Sequence, residues 1–115
     1  KWADHPTHAH NRLLTSVVLN GEERKLVARA HSKQLATAKG PVAMILPQRG
    51  LGEWDREGAD LHDKEGLAAF LAELEATLPA HVAPHRIECH INDAAFADKV
   101  LEIFDAWCAD GTVAC

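Results

Sequence analysis

Residues 40–66 read GPVAMILPQRGLGEWDREGADLHDKEG, and they are the most informative part of the chain. Five consecutive apolar residues, Val42 to Leu46, are typical of a strand that is covered on both faces of a parallel sheet. Pro47 to Leu61 then form a loop with three glycines, and loops of that length are more often functional than accidental. Ligands bind where loops leave the carboxyl ends of parallel strands, so this stretch predicts both a fold and the position of a site.

Strands and helices alternate on both sides of this stretch. The pattern predicts a strand over 13–19, a helix over 22–39, the strand over 42–46, a helix over 63–78, a strand over 85–91 and a helix that follows Asn92-Asp93 and ends at Asp110-Gly111. The order βαβαβα implies right-handed parallel crossovers. The predicted fold class is therefore α/β, a three-layer α/β/α sandwich with a parallel sheet, Rossmann- or flavodoxin-like.

Two of the predicted helices carry apolar residues at helical spacing. The helix over 63–78 has the stripe Leu67, Phe70, Leu71, Leu74 and Leu78. The last helix has the stripe Phe96, Val100, Ile103, Phe104 and Trp107. Stripes of this kind predict helices that pack one face on the sheet.

Composition and charge limit the class of protein. The 115 residues are 47% apolar and carry a formal net charge of −5, so we expect one α/β domain over 1–115 with a real core. The absence of a basic run argues against a nucleic-acid partner. No apolar stretch reaches the roughly 20 residues that cross a bilayer, which argues against a membrane partner. Cys89, Cys108 and Cys115 show no CxxC spacing, which favours a reducing, cytoplasmic setting.

A sheet of three strands is thin and leaves open edges. Such edges pair either with another chain, which would give a homo-oligomer, or with residues that lie outside this sequence. The chain begins at Lys1 rather than at Met. We expect it to be part of a larger protein.

The carboxyl ends of the predicted strands share one edge of the sheet with the amino ends of the helices. Helix amino ends present unpaired N–H groups that suit a phosphate or a carboxylate. Arg49 could clamp the same anion, or could be an ordinary solvated cation of the loop. Gly50 and Gly52 allow the backbone to approach a ligand closely, although glycines are also common turn residues. The predicted partner is a small anionic ligand.

Two polar clusters, His62-Asp63 and His90-x-Asn92-Asp93, lie at this edge in the predicted fold. One interpretation is a divalent metal held by His62, His90 and a carboxylate. Another is acid–base chemistry by His90, oriented by Asp63 or Asp93. A third is that Asp63, Asn92 and Asp93 cap helices while the histidines make ordinary hydrogen bonds. The residue pattern leaves these three open.

Several blocks of the chain resemble one known family. The blocks are His10-Asn11, Glu22-Glu23, Gly40-Pro41-Val42, Leu46-Pro47-x-Arg49-Gly50, Leu61-His62-Asp63 and His90-Ile91-Asn92-Asp93-x-x-Phe96-Ala97. Across nearly its whole length the chain resembles the C-terminal portion of the tomato mosaic virus resistance protein-like ATP-binding family, a family of uncharacterised proteins.

The resemblance implies a longer protein with two α/β domains, of which this chain is the last part of the second. ATP binding is attributed to the first domain of the family, so the resemblance places the nucleotide site outside this chain. It also implies that Arg49-Gly50, His62-Asp63 and His90–Asp93 line a site. The family has a small apolar residue and Ser after the loop glycine, whereas this chain has Leu51-Gly52, which puts a hydroxyl contact there in doubt.

The predicted function is a contribution to an anionic small-molecule site at the carboxyl-terminal edge of the strands. One alternative is a metal-assisted hydrolase or lyase that uses His62, His90 and Asp93. The other is an assembly module that associates with itself through its edge strand and has no site of its own. No cofactor is assigned to the chain itself.

Overall fold

A computed structural model describes residues 2–114 of the chain. Its elements are, in order, β1 (Thr7–Ala9), β2 (Thr15–Val17), α1 (Gly21–Leu35), β3 (Ala43–Pro47), α2 (Lys64–Thr77), β4 (Ala83–Ile87) and α3 (Ala94–Ala109). A short 3-10 helix, Glu53–Asp55, lies in the loop after β3. Strands and helices alternate from β2 onward, and the chain is a small mixed α/β protein.

β3 and β4 form a parallel pair. The register runs from Ala43 opposite Ala83 to Pro47 opposite Ile87. The pairing continues beyond both strands, because the N–H of Arg49 donates to the carbonyl of Cys89 at 3.0 Å. Parallel orientation of the second and third predicted strands is therefore confirmed, and their pairing, which was left open with the strand order, brings the loop after β3 beside the turn after β4.

The first predicted strand does not join this sheet, which corrects the expectation of one parallel sheet. Thr15–Val17 pairs antiparallel with Thr7–Ala9, and residues 2–114 contain two separate two-stranded sheets. The side-chain oxygen of Asn11 accepts the N–H groups of Leu13 and Leu14, at 2.8 and 3.0 Å. These hydrogen bonds stabilise the tight turn between the two strands. Pairing with a neighbouring segment closes a much shorter loop than pairing with β3 would, and its entropy loss is smaller. The three-layer arrangement is not confirmed.

The core lies between α1, α2 and β3. Its buried residues are Ala28, Leu46, Leu67, Leu71 and Leu74, with Met44, Phe70 and Leu78 packed against them. α1 and α2 are also joined by a hydrogen bond of 2.8 Å between the hydroxyls of Ser32 and Thr77. The stripe predicted for α2 therefore faces the core, and α2 is held firmly with its amino end beside the loop after β3.

α3 is packed less completely than the other two helices. None of its 16 residues is buried, and Val100, Leu101 and Phe104 are exposed. It contacts β3, so it lies against the sheet. Its predicted apolar stripe is present, but part of that stripe faces solvent.

The helices and the cysteines of the described residues can be compared with the sequence predictions. No helix within residues 2–114 is long and apolar enough to cross a membrane. Cys89 is a buried free cysteine whose pKa is raised by burial, whereas Cys108 is disulfide-bonded. The cysteines therefore give no support to the expected cytoplasmic location.

Candidate functional site

Gly50 lies where the loop after β3 meets the turn after β4. Its φ is +129°, a region that side chains with a Cβ rarely adopt. A Cβ at this position would lie 2.6 Å from Cδ2 of His90 and even closer to the carboxylate of Asp55. The glycine therefore permits close packing of its own loop on His90 and Asp55.

His90 is buried, with 2% of its surface exposed, and both of its ring nitrogens have partners. Nδ1 accepts the N–H of Asn92 at 3.1 Å. Nε2 then carries the proton, and it lies 2.9 Å from the carbonyl oxygen of Gly52 and 3.3 Å from Oδ1 of Asp55. An imidazole with both nitrogens engaged in a closed site is a structural group, which argues against His90 as a metal ligand or proton carrier.

Asp55 completes this arrangement and was not among the residues predicted from the sequence. Its carboxylate accepts the N–H of Leu51 at 2.9 Å and the N–H of Gly52 at 3.1 Å, in addition to its contact with His90. Aspartate commonly binds backbone N–H groups close by in a loop, which is the only signal that the sequence offered. Asp55 and His90 together fix the loop.

The turn after β4 is tied to the same loop by charged side chains. Asp93 accepts the N–H of His90 at 2.8 Å and the guanidinium of Arg56 at 3.1 Å. Arg56 also binds Glu53 at 3.0 Å, and the amide of Asn92 donates to Glu53 at 2.9 Å. Asp93 stands at the N-cap position of α3, but its carboxylate makes no capping hydrogen bond. We call these contacts, with those of His90 and Asp55, the His90 network.

The pKa values in the His90 network follow from these hydrogen bonds. The N–H of His90, and then Arg56, hold the pKa of Asp93 below its ordinary value. Asn92, and then Arg56, lower the pKa of Glu53. The two carboxylates in turn raise the pKa of Arg56. All three groups are therefore charged at neutral pH, and none of them titrates near it.

Asp63 is a helix cap, as one of the three interpretations held. Its carboxylate accepts the N–H of Gly66 at 2.8 Å, at the first turn of α2. The same carboxylate forms an ion pair with Arg24 of α1 at 3.1 Å. Asp63 makes these two contacts and no hydrogen bond with His90 among residues 2–114, so the contacts give no support to Asp63 as the residue that orients His90.

Arg49 and His62 meet in a different place, a cleft of about 280 Å³ between the ends of β3 and β4 and the start of α2. We call it the Arg49 cleft; its lining residues are Gln48, Arg49, Glu57, His62, Lys64, Leu67 and Glu88. Nδ1 of His62 lies 2.9 Å from the carbonyl oxygen of Asp55. Because only a protonated nitrogen can donate to a carbonyl, Nδ1 carries a proton and donates it to Asp55. Nε2 makes no hydrogen bond with any other of residues 2–114.

The cations of the Arg49 cleft have no partners within the described part of the chain. The side chains of Arg49 and Lys64 make no hydrogen bond or ion pair with another of residues 2–114. Arg49 is exposed and lies two residues after the end of β3, while Lys64 is exposed and is the first residue of α2. The side chains of Arg49 and Lys64 thus share one concave surface with the imidazole of His62 and the carboxylates of Glu57 and Glu88.

The metal interpretation is not supported by the contacts of its ligands. His62 lines the Arg49 cleft, whereas His90 is enclosed in the His90 network. Both carboxylate oxygens of Asp93 already have donors. Across residues 2–114, no group of three or more His, Cys, Asp or Glu side chains is arranged to hold a metal ion.

A second cleft, of about 330 Å³, lies between β2, α1 and the start of the loop. Its walls are largely apolar and include Val18, Val27, Leu51 and Phe70. Its charged wall residues are already paired: Arg24 with Asp63, and Asp55 with the backbone of its own loop. This cleft offers apolar contact and no free charge.

Residues 1–108 match the family described as the C-terminal domain of an uncharacterised protein family, UPF0261. The chain belongs to this family. A UPF0261 protein of Brucella melitensis is 42% identical over 113 residues, which cover 98% of this chain and 27% of that protein. A UPF0261 protein of Mesorhizobium japonicum is 29% identical over 100 residues, which cover 85% of this chain and 25% of that protein.

The predicted resemblance to the tomato mosaic virus resistance protein family is also confirmed, because one of the relatives belongs to it. The ToMV resistance protein Tm-1 of Solanum lycopersicum is 29% identical over 103 residues, covering 84% of this chain and 13% of that protein. This UPF0261 domain therefore spans about a quarter or less of the length of these curated relatives. Neither the family nor these relatives show that it binds ATP.

The predicted site residues of this UPF0261 domain lie in three places. Gly50, Gly52, His90, Asn92 and Asp93 come together in the His90 network, and Asp63 caps α2. Arg49 and His62 line the Arg49 cleft. Sequence reasoning missed Asp55, Arg56 and Glu53, although the i, i+3 spacing of Glu53 and Arg56 was a signal for their ion pair.

Proposed function

We propose that this UPF0261 C-terminal domain binds a small molecule with one anionic group in the Arg49 cleft. The observation that carries the proposal is that the side chains of Arg49 and Lys64 line one cleft without partners among residues 2–114. A carboxylate or phosphate group would supply the hydrogen-bond acceptors that both cations lack.

The other residues of the cleft limit what the ligand can be. Glu57 and Glu88 line the same surface, so a polyanion such as a triphosphate would meet two like charges. The ligand that fits has a single anionic group and a hydrogen-bond donor or a positive charge elsewhere. ATP is therefore not the ligand proposed for this cleft.

His62 adds a directional group to this site. Its Nδ1 donates to the carbonyl of Asp55, and its Nε2 has no partner in the described chain. In this position His62 would accept a hydrogen bond from the ligand. The same geometry suits a general base, should the complete protein catalyse a proton transfer.

The His90 network supports the proposal by holding the cleft open. The loop from Gln48 to His62 forms one wall, and its shape is fixed from behind by Asp55 and His90. Rigid support of this kind reduces the entropy lost when a ligand binds.

The test is a titration with inorganic phosphate, and separately with acetate, followed by two-dimensional amide NMR. We expect shift changes confined to residues 48–49, 62–64 and 88. Replacing Arg49 with Ala should weaken binding by about tenfold to a hundredfold, because a hydrogen bond between charged groups contributes roughly 1.5–3 kcal/mol. The matched control is Arg12→Ala, which removes an exposed arginine of the hairpin turn and should leave binding unchanged.

Two results would contradict the proposal. One is a titration in which shifts spread over all surface cations. The other is equal loss of binding in the Arg49→Ala and Arg12→Ala variants, which would show that only net charge matters.

A further inference from the structure

The Arg49 cleft contains unpaired carboxylates as well as unpaired cations. The side chains of Glu57 and Glu88 line it together with those of Arg49 and Lys64. Neither carboxylate makes a hydrogen bond or an ion pair with another of residues 2–114. Other glutamates do form ion pairs with an arginine or a lysine, namely Glu22, Glu53, Glu73, Glu75 and Glu102. Opposite charges therefore share one concave surface without pairing directly.

These four charges are brought together by the tertiary fold. Arg49 and Glu57 lie at the start and in the middle of the loop between β3 and α2. Lys64 begins α2, and Glu88 lies directly after β4. Their formal charges cancel, so the cleft offers separate positive and negative points and not a net positive field.

We propose that the ligand of the Arg49 cleft is a short amino acid, a zwitterion with one carboxylate and one ammonium group. The carboxylate binds to Arg49 and Lys64 through charge-assisted hydrogen bonds. The ammonium group donates to Glu57 and Glu88. This assignment rests on the function proposed above and narrows the ligand from a small molecule with one anionic group to a dipolar one.

The charge pattern favours a zwitterion over simpler ligands. A ligand with only a carboxylate would cover Glu57 and Glu88 without pairing them, and covering an unpaired charge costs free energy. A ligand with only an amine would do the same to Arg49 and Lys64. A hydroxyl in place of the ammonium group would bring one donor and no charge, whereas an ammonium group has three donors and can reach both glutamates.

The size and lining of the cleft limit the ligand further. Its volume is about 280 Å³, near the lower end of the roughly 300–1,000 Å³ that is usual for small-molecule sites. Among the described residues that line it, Leu67 is the single apolar one. The ligand therefore has few heavy atoms and a short aliphatic stem between its two charges, as a single amino acid has.

The experiment compares pairs of ligands that have equal numbers of heavy atoms and differ in one charged group. The pairs are glycine with propionate, β-alanine with butyrate, and 4-aminobutyrate with pentanoate. In each pair the terminal methyl of the carboxylate is replaced by an ammonium group. Affinities for this chain are measured at neutral pH by two-dimensional amide NMR, and the series of lengths probes the distance between the two charged ends of the cleft.

We expect at least one amino acid to bind about tenfold more tightly than its paired carboxylate, because it adds a charge-assisted hydrogen bond. The double variant Glu57→Gln/Glu88→Gln keeps the shape of both side chains and removes their charge. It should lose this preference while still binding the carboxylate.

The matched control is the double variant Glu65→Gln/Glu102→Gln. It removes the same net charge from two exposed helix positions that do not line the cleft, and it should keep the preference for the amino acid.

The outcomes separate this assignment from the proposed function. Equal affinities within every pair would overturn the zwitterion, and carboxylate binding that still depends on Arg49 would leave the proposed function intact. A preference that survives in Glu57→Gln/Glu88→Gln would also overturn the assignment, because the ammonium group would then bind elsewhere. If neither member of any pair binds, and phosphate does not bind either, both proposals are wrong. The comparison within pairs on the unsubstituted chain gives a decision even if a variant folds poorly.

Discussion

Arg49 and Gly50 are neighbours in the sequence, yet they belong to two regions with opposite properties. On the side of Gly50, every polar group of His90 and Asp55 has a partner, and the packing admits no Cβ. On the side of Arg49, the cleft contains cations without partners among residues 2–114. One region is closed and rigid, and the other is open and polar.

The comparison shows why residue type does not identify a binding residue. His90 and His62 are both histidines at the carboxyl ends of parallel strands or in the loop that follows. His90 uses both nitrogens within the protein, whereas His62 uses one and leaves Nε2 facing its cleft. The number of partners already satisfied separates a structural histidine from a candidate ligand-binding one.

The largest expected effect is that of Gly50→Ala. The substitution forces a Cβ into His90 and Asp55 at a positive φ, so we expect a loss of roughly 3 kcal/mol in the free energy of unfolding, measured with urea. The control is Gly52→Ala, where φ is −151° and nothing lies within 4 Å of the added Cβ. A loss equally large at Gly52 would show that the effect does not come from contact of the added Cβ with His90 and Asp55.

The two histidines should differ next most strongly. His90→Ala leaves the N–H of Asn92 unpaired and opens a cavity, and we expect a loss of roughly 2–3 kcal/mol in unfolding free energy. His62→Ala removes an exposed side chain and should change stability by less than about 1 kcal/mol. Thermal or urea unfolding of both variants decides the point. Similar losses for the two variants would contradict the division into a structural and a ligand-facing histidine.

A smaller effect is expected at the start of α2. Asp63→Ala removes both the cap on Gly66 and the ion pair with Arg24, and should reduce unfolding free energy by about 1–2 kcal/mol. Asp60→Ala, in the same loop and exposed, is the control and should change it by less than about 0.5 kcal/mol. If both variants unfold alike, Asp63 does not act as a cap in solution.

The smallest expected effect is a response to acid. The pKa values of Asp93 and Glu53 are lowered in the folded chain. Their charged forms therefore stabilise the fold, and this contribution to the free energy of unfolding is complete above their ordinary pKa values of about 4. It is lost as the pH falls through the lower folded values. The urea midpoint should therefore drop more steeply below pH ~4 in the wild type than in Asp93→Asn. Identical acid profiles would show that Asp93 is not paired with Arg56 and His90 in solution.

Much of the fold could be predicted because its signals are local. Five apolar residues in a row indicated the covered strand β3, and the stripe in α2 indicated its buried face. The hairpin was missed because β1 is three residues long and polar, so it has no periodicity to detect. The exposure of α3 was missed because a stripe predicts a buried face but does not say whether the covering surface lies within the same chain.

The candidate site was predicted only in part. The meeting of the loop after β3 with the turn after β4 followed from parallel pairing, which needs no detailed coordinates. The division of its residues between a closed network and an open cleft depends on which side chains point together. That division required Asp55, Arg56 and Glu53, which no motif marked.

The sequence by itself determined the α/β class, the parallel strand pair, the loop with Gly50 and the membership of the family, because each depends on local pattern or on whole blocks of residues. The tertiary structure decided that His90 is buried and fully hydrogen-bonded, while Arg49 and His62 face a cleft. The physical reason is that a polar side chain becomes structural or available according to how many partners the fold places around it, and those partners are distant in sequence.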